Sequence, residues 1–114
     1  MEGRSILIET FGDSPRMRVL DFVLNFESFD YPKSHVARVA DVSRTTLDPI
    51  WDELVEEGIV VKTRTVGRAE MYELNVEHPT VCILRELALR LASRYADEEE
   101  ERIKQRITVK KRRA

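Results

Sequence analysis

A single cysteine, Cys82, leaves the 114-residue chain without a partner for an internal disulfide. No apolar run approaches the ~18 residues that a membrane span requires. The first twelve residues, MEGRSILIETFG, hold only a short apolar patch broken by Glu9, which predicts no secretory signal. Together these features predict a cytoplasmic protein in a reducing compartment, with no membrane partner. Catalytic signatures are missing as well: there is no Gly-rich phosphate loop, no HExxH and no Ser/His/Asp arrangement. The expectation is therefore a protein that is not an enzyme. Soft metal donors are scarce. His35, His78 and Cys82 are the candidates, and although His78 and Cys82 share i,i+4 spacing, a closed zinc site takes four ligands. No metal and no cofactor is expected, His78 being read as a helix cap and Cys82 as buried; a thiol sensor at Cys82 would rest on one residue.

Charge of one sign is not in large excess, the net being −2. Its distribution is uneven. Residues 97–101 are five consecutive acids, DEEEE, whereas Arg102 to Arg113 carries seven bases, leaving 12 basic and 16 acidic residues in 1–96. Nucleic-acid binding by such a body needs its bases gathered on one face, because counterion release depends on local phosphate contacts. A 42% hydrophobic share suffices for one small core.

The most informative stretch is Tyr31 to Gly58, YPKSHVARVADVSRTTLDPIWDELVEEG. A first helix is predicted from about Lys33 to Ala40, with Val36, Ala37, Val39 and Ala40 apolar. Asp41 and Val42 make a turn, and Ser43 is suited to cap the next helix by accepting a free backbone N–H. There Leu47, Ile50, Trp51, Leu54 and Val55 recur at i, i+3, i+4, i+7 and i+8. Arg44, Thr45, Thr46 and Asp48 fall on or near the opposite face, close to the helix start. A small residue at the helix crossing, a short turn and a capped second helix make a helix-turn-helix, whose free face fits the DNA major groove. Pro49 lies inside the second helix, where loss of an N–H and a clash with the Thr45 carbonyl predict a kink or a short opening turn.

Around this motif the chain predicts a single domain. Residues 1–12, with Ile6, Leu7, Ile8 and Phe11, are expected to be an N-terminal arm or short strand packing on the body or on a second subunit. Asp13–Ser14–Pro15 is a start signal for a helix running to about Phe26, and Glu27–Tyr31 reads as a loop. After Gly58, a natural left-handed stop, IVVKTRTV and EMYELN read as two strands joined at Gly67–Arg68–Ala69, a hairpin. Trp51 and Tyr72 sit at core-like positions. A long helix then begins near Thr80 and continues to Tyr95 or beyond. Its Leu84, Leu87 and Leu91 at i, i+3, i+7 suit a helix-pairing seam, here assigned to a homodimer interface, although a helix returning to its own domain has the same pattern. Pairs such as Glu98–Arg102 and Glu100–Lys104 could extend this helix, and residues 103–114 are expected to be a flexible basic tail, solvated or touching DNA phosphates.

The order helix, helix, turn, helix, hairpin, long helix resembles the winged helix-turn-helix transcriptional regulators of archaea and bacteria, of the MarR-like and ArsR-like kind. GDSPRMRVLDFVL and VARVADVSRTTLDPIWDELVEEGIVVKTRTVGRAEMYELN carry the likeness, VSRTTL followed by LVEEGIV most of all. The resemblance implies a mainly α fold with a small β-hairpin (α+β). That is a three-helix core with a two-stranded wing in residues 13–77 and a dimerising C-terminal helix in 78–102. It implies sequence-specific binding of double-stranded DNA by a homodimer, with the recognition helix at about 43–57 in the major groove and the wing at 59–75 on the minor groove or backbone. Arg44, Thr45 and Asp48 become base-facing candidates, while Ser43 and Thr46 lie near phosphates. Arg64, Gly67 and Arg68 would supply the wing contacts, with Arg16, Lys33 and Lys62 as phosphate ligands. Asp41 stands where a glycine is usual, and Asp tolerates the left-handed region better than most residues. A winged helix with an acidic body could instead dock on a protein in a transcription or replication complex.

Overall fold

Ser5, Ser14 and Ser43 each precede a helix and accept a backbone N–H from its first turn, from Ile8, Met17 and Thr46 at 3.2, 3.1 and 3.2 Å. Each hydroxyl satisfies one of the donors that a helix start leaves free. The computed structural model describes the backbone of residues 5–113 and the side chains of residues 5–107. In order the elements are α1 (Ile6–Phe11), α2 (Pro15–Asn25), β1 (Tyr31–Pro32), α3 (Lys33–Ala40), α4 (Arg44–Glu56), β2 (Val60–Val66), β3 (Ala69–Leu74) and α5 (Pro79–Arg113).

Three elements differ from the sequence expectation. The N-terminal segment is a helix, not a strand: the Ser5 cap and the Gly12 N–H bonded to the Ile8 carbonyl close a turn that buries Leu7. Residues 1–4 of the expected arm lie outside the described residues. The wing is part of a three-stranded antiparallel sheet of order β1-β3-β2, not a two-stranded ribbon. Tyr31 and Pro32 pair with Tyr72 and Met71 on the outer side of β3, and an edge is where a proline, lacking an N–H, can enter a sheet. The C-terminal helix continues to Arg113, through part of the span expected to be a flexible tail. Lys104–Glu100 and Arg102–Glu99 pair along it, while Glu98 pairs with Arg94 and not with Arg102.

The core gathers Val19, Phe22 and Val23 of α2, Val36 of α3, Leu47, Ile50, Trp51 and Leu54 of α4, Val60 and Tyr72 of the sheet, and Val81 of α5. Its rings link the layers: Phe22 lies 5.0 Å from Tyr31, and Trp51 meets Tyr72 edge-on at 5.5 Å. Burial, with Glu73 nearby, raises the Tyr31 phenol well above its ordinary range. Trp51 and Tyr72 are thus packing residues.

Between α3 and α4 the chain turns through Asp41, which adopts φ 55° and ψ 56° in the left-handed region. Arg18 of α2 fixes this turn, its guanidinium donating to the Ala40 carbonyl at 2.9 Å and the Asp41 carbonyl at 3.1 Å while pairing with Asp13. Helix α4 continues through Pro49 as one 13-residue element. Where α4 meets α5, His78 bonds the Glu57 carbonyl through Nε2 at 2.8 Å, and its Nδ1 accepts the Thr80 N–H at 3.1 Å. His78 is therefore a helix cap. Cys82 is exposed, contrary to expectation, its thiol donating to the Val76 carbonyl at 3.3 Å. Among the described residues no group of three or more His, Cys, Asp or Glu side chains is placed to hold a metal ion, and no helix is long and apolar enough to cross a membrane.

Candidate nucleic-acid interface

The first turn of α4 is uncovered. Arg44, Thr45 and Thr46 are exposed, whereas Leu47, Ile50, Trp51 and Leu54 on the reverse face are buried. Ser43 Oγ, besides capping the helix, donates to Thr46 Oγ1 at 3.0 Å, so these two hydroxyls engage each other. Beside this tip, the start of α3 and the hairpin enclose an open groove of about 520 Å³, lined by Lys33, Ser34, Arg44, Thr65, Arg68 and Glu70 among others. Three predicted cations, Lys33, Arg44 and Arg68, thus share one groove. Gly67 at the hairpin tip has φ 62°, which lets the loop turn tightly and presents Arg68 beside it.

Other predicted residues are placed differently. Asp48 does not present a free carboxylate to a base edge. Its Oδ1 lies 3.0 Å from Lys33 Nζ and 3.7 Å from Arg44 Nε, and Lys33 first, then Arg44, holds its carboxyl below the usual range. Lys62 pairs with Glu70 at 3.2 Å, and Tyr72 Oη donates to the same carboxylate at 3.1 Å; both depress the Glu70 pKa. Arg16 pairs with Glu53 of α4 in a separate depression with Leu20 and Ile50, outside the groove.

A β-bulge removes Arg64 from the groove. Lys62 opposes Tyr72 but Arg64 opposes Met71, so Thr63 is an extra residue that reverses the alternation of side chains. Arg64 therefore shares a face with Met71 and reaches Asp30 through Nε at 2.8 Å and through its terminal nitrogen at 3.2 Å. Thr63 adds a donor at 2.7 Å, and the pair of donors brings the Asp30 carboxyl down to about 2. Thr65 takes the groove-facing place. Sequence reasoning passed over Thr65 and Ser34. The signal for Ser34 was its place beside Lys33 in the first turn of α3, whereas Thr65 needed knowledge of the bulge.

The leucine seam is also divided. Leu84 and Leu91, with Ala88, pack on the core of their own chain, so much of the predicted dimer surface is used internally. Leu87 is half-buried, and the strongly exposed apolar side chains of this part of α5 are Ile83 and Leu89.

Two solved structures share this architecture. One is a possible transcriptional regulator from Methanosarcina mazei Go1, with a TM-score of 0.51 and 12% identity, the match covering 82% of this chain and 78% of that one. The other is NadR in complex with 4-hydroxyphenylacetate, with a TM-score of 0.58 and 20% identity over 93% of this chain and 75% of that one. No protein-family model and no curated relative matches the sequence. The chain has a winged-helix fold: mainly α, with a small antiparallel sheet and a long C-terminal helix.

Proposed function

We propose that this chain is a transcriptional regulator, without enzymatic activity, that binds specific double-stranded DNA sites as a cytoplasmic homodimer. The observation that carries the reading is the convergence of Lys33, Arg44 and Arg68 on one open groove between the free tip of α4 and the hairpin. Helix α4 enters the major groove, where Arg44 can donate to guanine O6 and N7 and Thr45 can bond a base or meet a thymine methyl. The hairpin tip at Gly67 and Arg68 lies on the minor groove or the backbone, and Ser43 and Thr46 lie near phosphates. Arg68 makes no ion pair among the described residues, so it is the cation most ready for a phosphate. Selection of bound duplexes from a random pool should yield a defined, two-fold symmetric site. Arg44→Ala should cost about 1–3 kcal/mol and relax the preference at one position. Arg68→Ala should weaken binding across sequences and reduce the salt slope by about 1.

A protein-docking role is the second reading. Its support is the ion pairing of Arg16, Lys33, Lys62 and Arg64 with carboxylates of the same chain. Absence of binding to any duplex at low salt would favour it.

A further inference from the structure

The ion pairs at the groove give Asp48 a role that base contact does not describe. Its Oδ1 forms ion pairs with Lys33 Nζ from the start of α3 and with Arg44 Nε from one turn earlier on α4. These cations come from different elements, and both line the groove that Arg68 bounds from the hairpin side. The carboxylate therefore offers them what a phosphate oxygen offers in a charge-assisted contact. Lys33 lowers the Asp48 pKa, so near neutral pH the carboxylate remains charged and the competition persists.

We propose that Asp48 is an internal phosphate surrogate that sets specificity: it holds Lys33 and Arg44 in the unbound protein and, on a matching site, yields Lys33 to a DNA phosphate and Arg44 to a base edge. This rests on the DNA-binding reading above. The physical reason is the asymmetry between the two kinds of complex. Sequence-independent binding is almost wholly phosphate contact, so a carboxylate that competes for two cations weakens it most. On a matching site the base contacts of Arg44 and Thr45 offset the exchange. Asp48 thus widens the gap between specific and non-specific binding.

The test titrates wild type and Asp48→Asn against a selected duplex and a random-sequence duplex over a range of salt. The variant should bind random duplex about tenfold tighter, with a log–log salt slope steeper by about 1–2, and its selected-to-random ratio should fall. Random-duplex affinity and slope equal to wild type would overturn the proposal. So would a selective loss on the selected duplex, since that is the behaviour of a base reader. A second measurement needs no variant: the Lys33 side-chain ammonium resonance of the wild type should shift when the selected duplex is added, and an unmoved resonance would also overturn it. Wild-type protein that binds no duplex at low salt would remove the DNA reading and this inference together. Wild-type binding with an unaltered Asp48→Asn variant would remove only the inference.

Discussion

Asp30 accepts from two nitrogens of Arg64 and the hydroxyl of Thr63, all directed at one half-buried carboxylate just before β1. Three donors favour the charged form, and the pKa falls to about 2. The unfolded chain has no such donors, so its carboxyl titrates near the usual value of about 3.9. A group depressed on folding contributes stability above its unfolded pKa and loses it as pH falls through the folded one. The contribution of Asp30 is therefore intact at pH 5 and disappears progressively between about pH 4 and pH 2. Urea melts at stepped pH should show Asp30→Asn losing less stability than wild type across that window. Parallel curves for the two proteins would show that the cluster contributes nothing. The pairing also explains why Arg64, chosen from sequence as a wing cation, is not in the groove: alternation counted along KTRTV puts Lys62 and Arg64 on one face. Nothing in those letters reveals the extra residue at Thr63 that separates them.

At the scale of elements, legibility followed the strength of local signals. Pro15 after Ser14, the Ser43 cap and the 3.6-residue apolar spacing of Leu47, Ile50, Trp51 and Leu54 gave α2 and α4 nearly to their ends. Strand β1 is two residues long, below any alternation that sequence can display, and it exists because β3 offers an edge to Tyr31. Helix α1 is not legible as a helix because Ile6, Leu7 and Ile8 form a short apolar run, which suits an arm or a strand equally well by period. The groove was half legible: Lys33, Arg44 and Arg68 were found by charge and position, but their carboxylate partners depend on tertiary placement. Pro49 is the instructive conflict within α4. The helix passes through it, so the Thr45 carbonyl cannot receive the N–H it would otherwise bond. Neighbouring Leu47, Ile50 and Trp51 are buried, and their packing holds the helix in place. Because Pro49 itself is exposed, Pro49→Ala should restore the bond without opening a cavity and raise stability by about 1–2 kcal/mol. A higher urea midpoint with an unchanged m-value is the expected result, and an unchanged midpoint would refute it.

For the whole molecule, the question is what the long helix does. At 35 residues α5 spans about 52 Å, and the chain extends 66 Å along its longest axis against 28 and 22 Å across. Among the described residues, only its beginning, through Val81, Leu84, Ala88 and Leu91, packs on the core. On the same part of the helix Ile83 and Leu89 are 66% and 68% exposed. Tyr95, Ile103 and Ile107 continue the exposed apolar series farther along. A helix with one face on its own core and apolar residues directed elsewhere is built to be covered again, and pairing of two copies is the form of cover we propose. The leucine seam expected to pair two chains is largely occupied within one, so we propose the outward residues as the dimer contact. Burying two leucines of the Leu89 type per dimer is worth about 1.5–3 kcal/mol each, enough that a buried charge in their place should dissociate the pair. Sedimentation should find wild type as a dimer and Leu89→Glu as a monomer, with unchanged circular dichroism and melting because Leu89 contributes little to the core. The same variant should bind the symmetric selected duplex no better than an isolated half-site, since two recognition helices are no longer held at a fixed separation. A Leu89→Glu protein that remains dimeric would exclude this face as the contact.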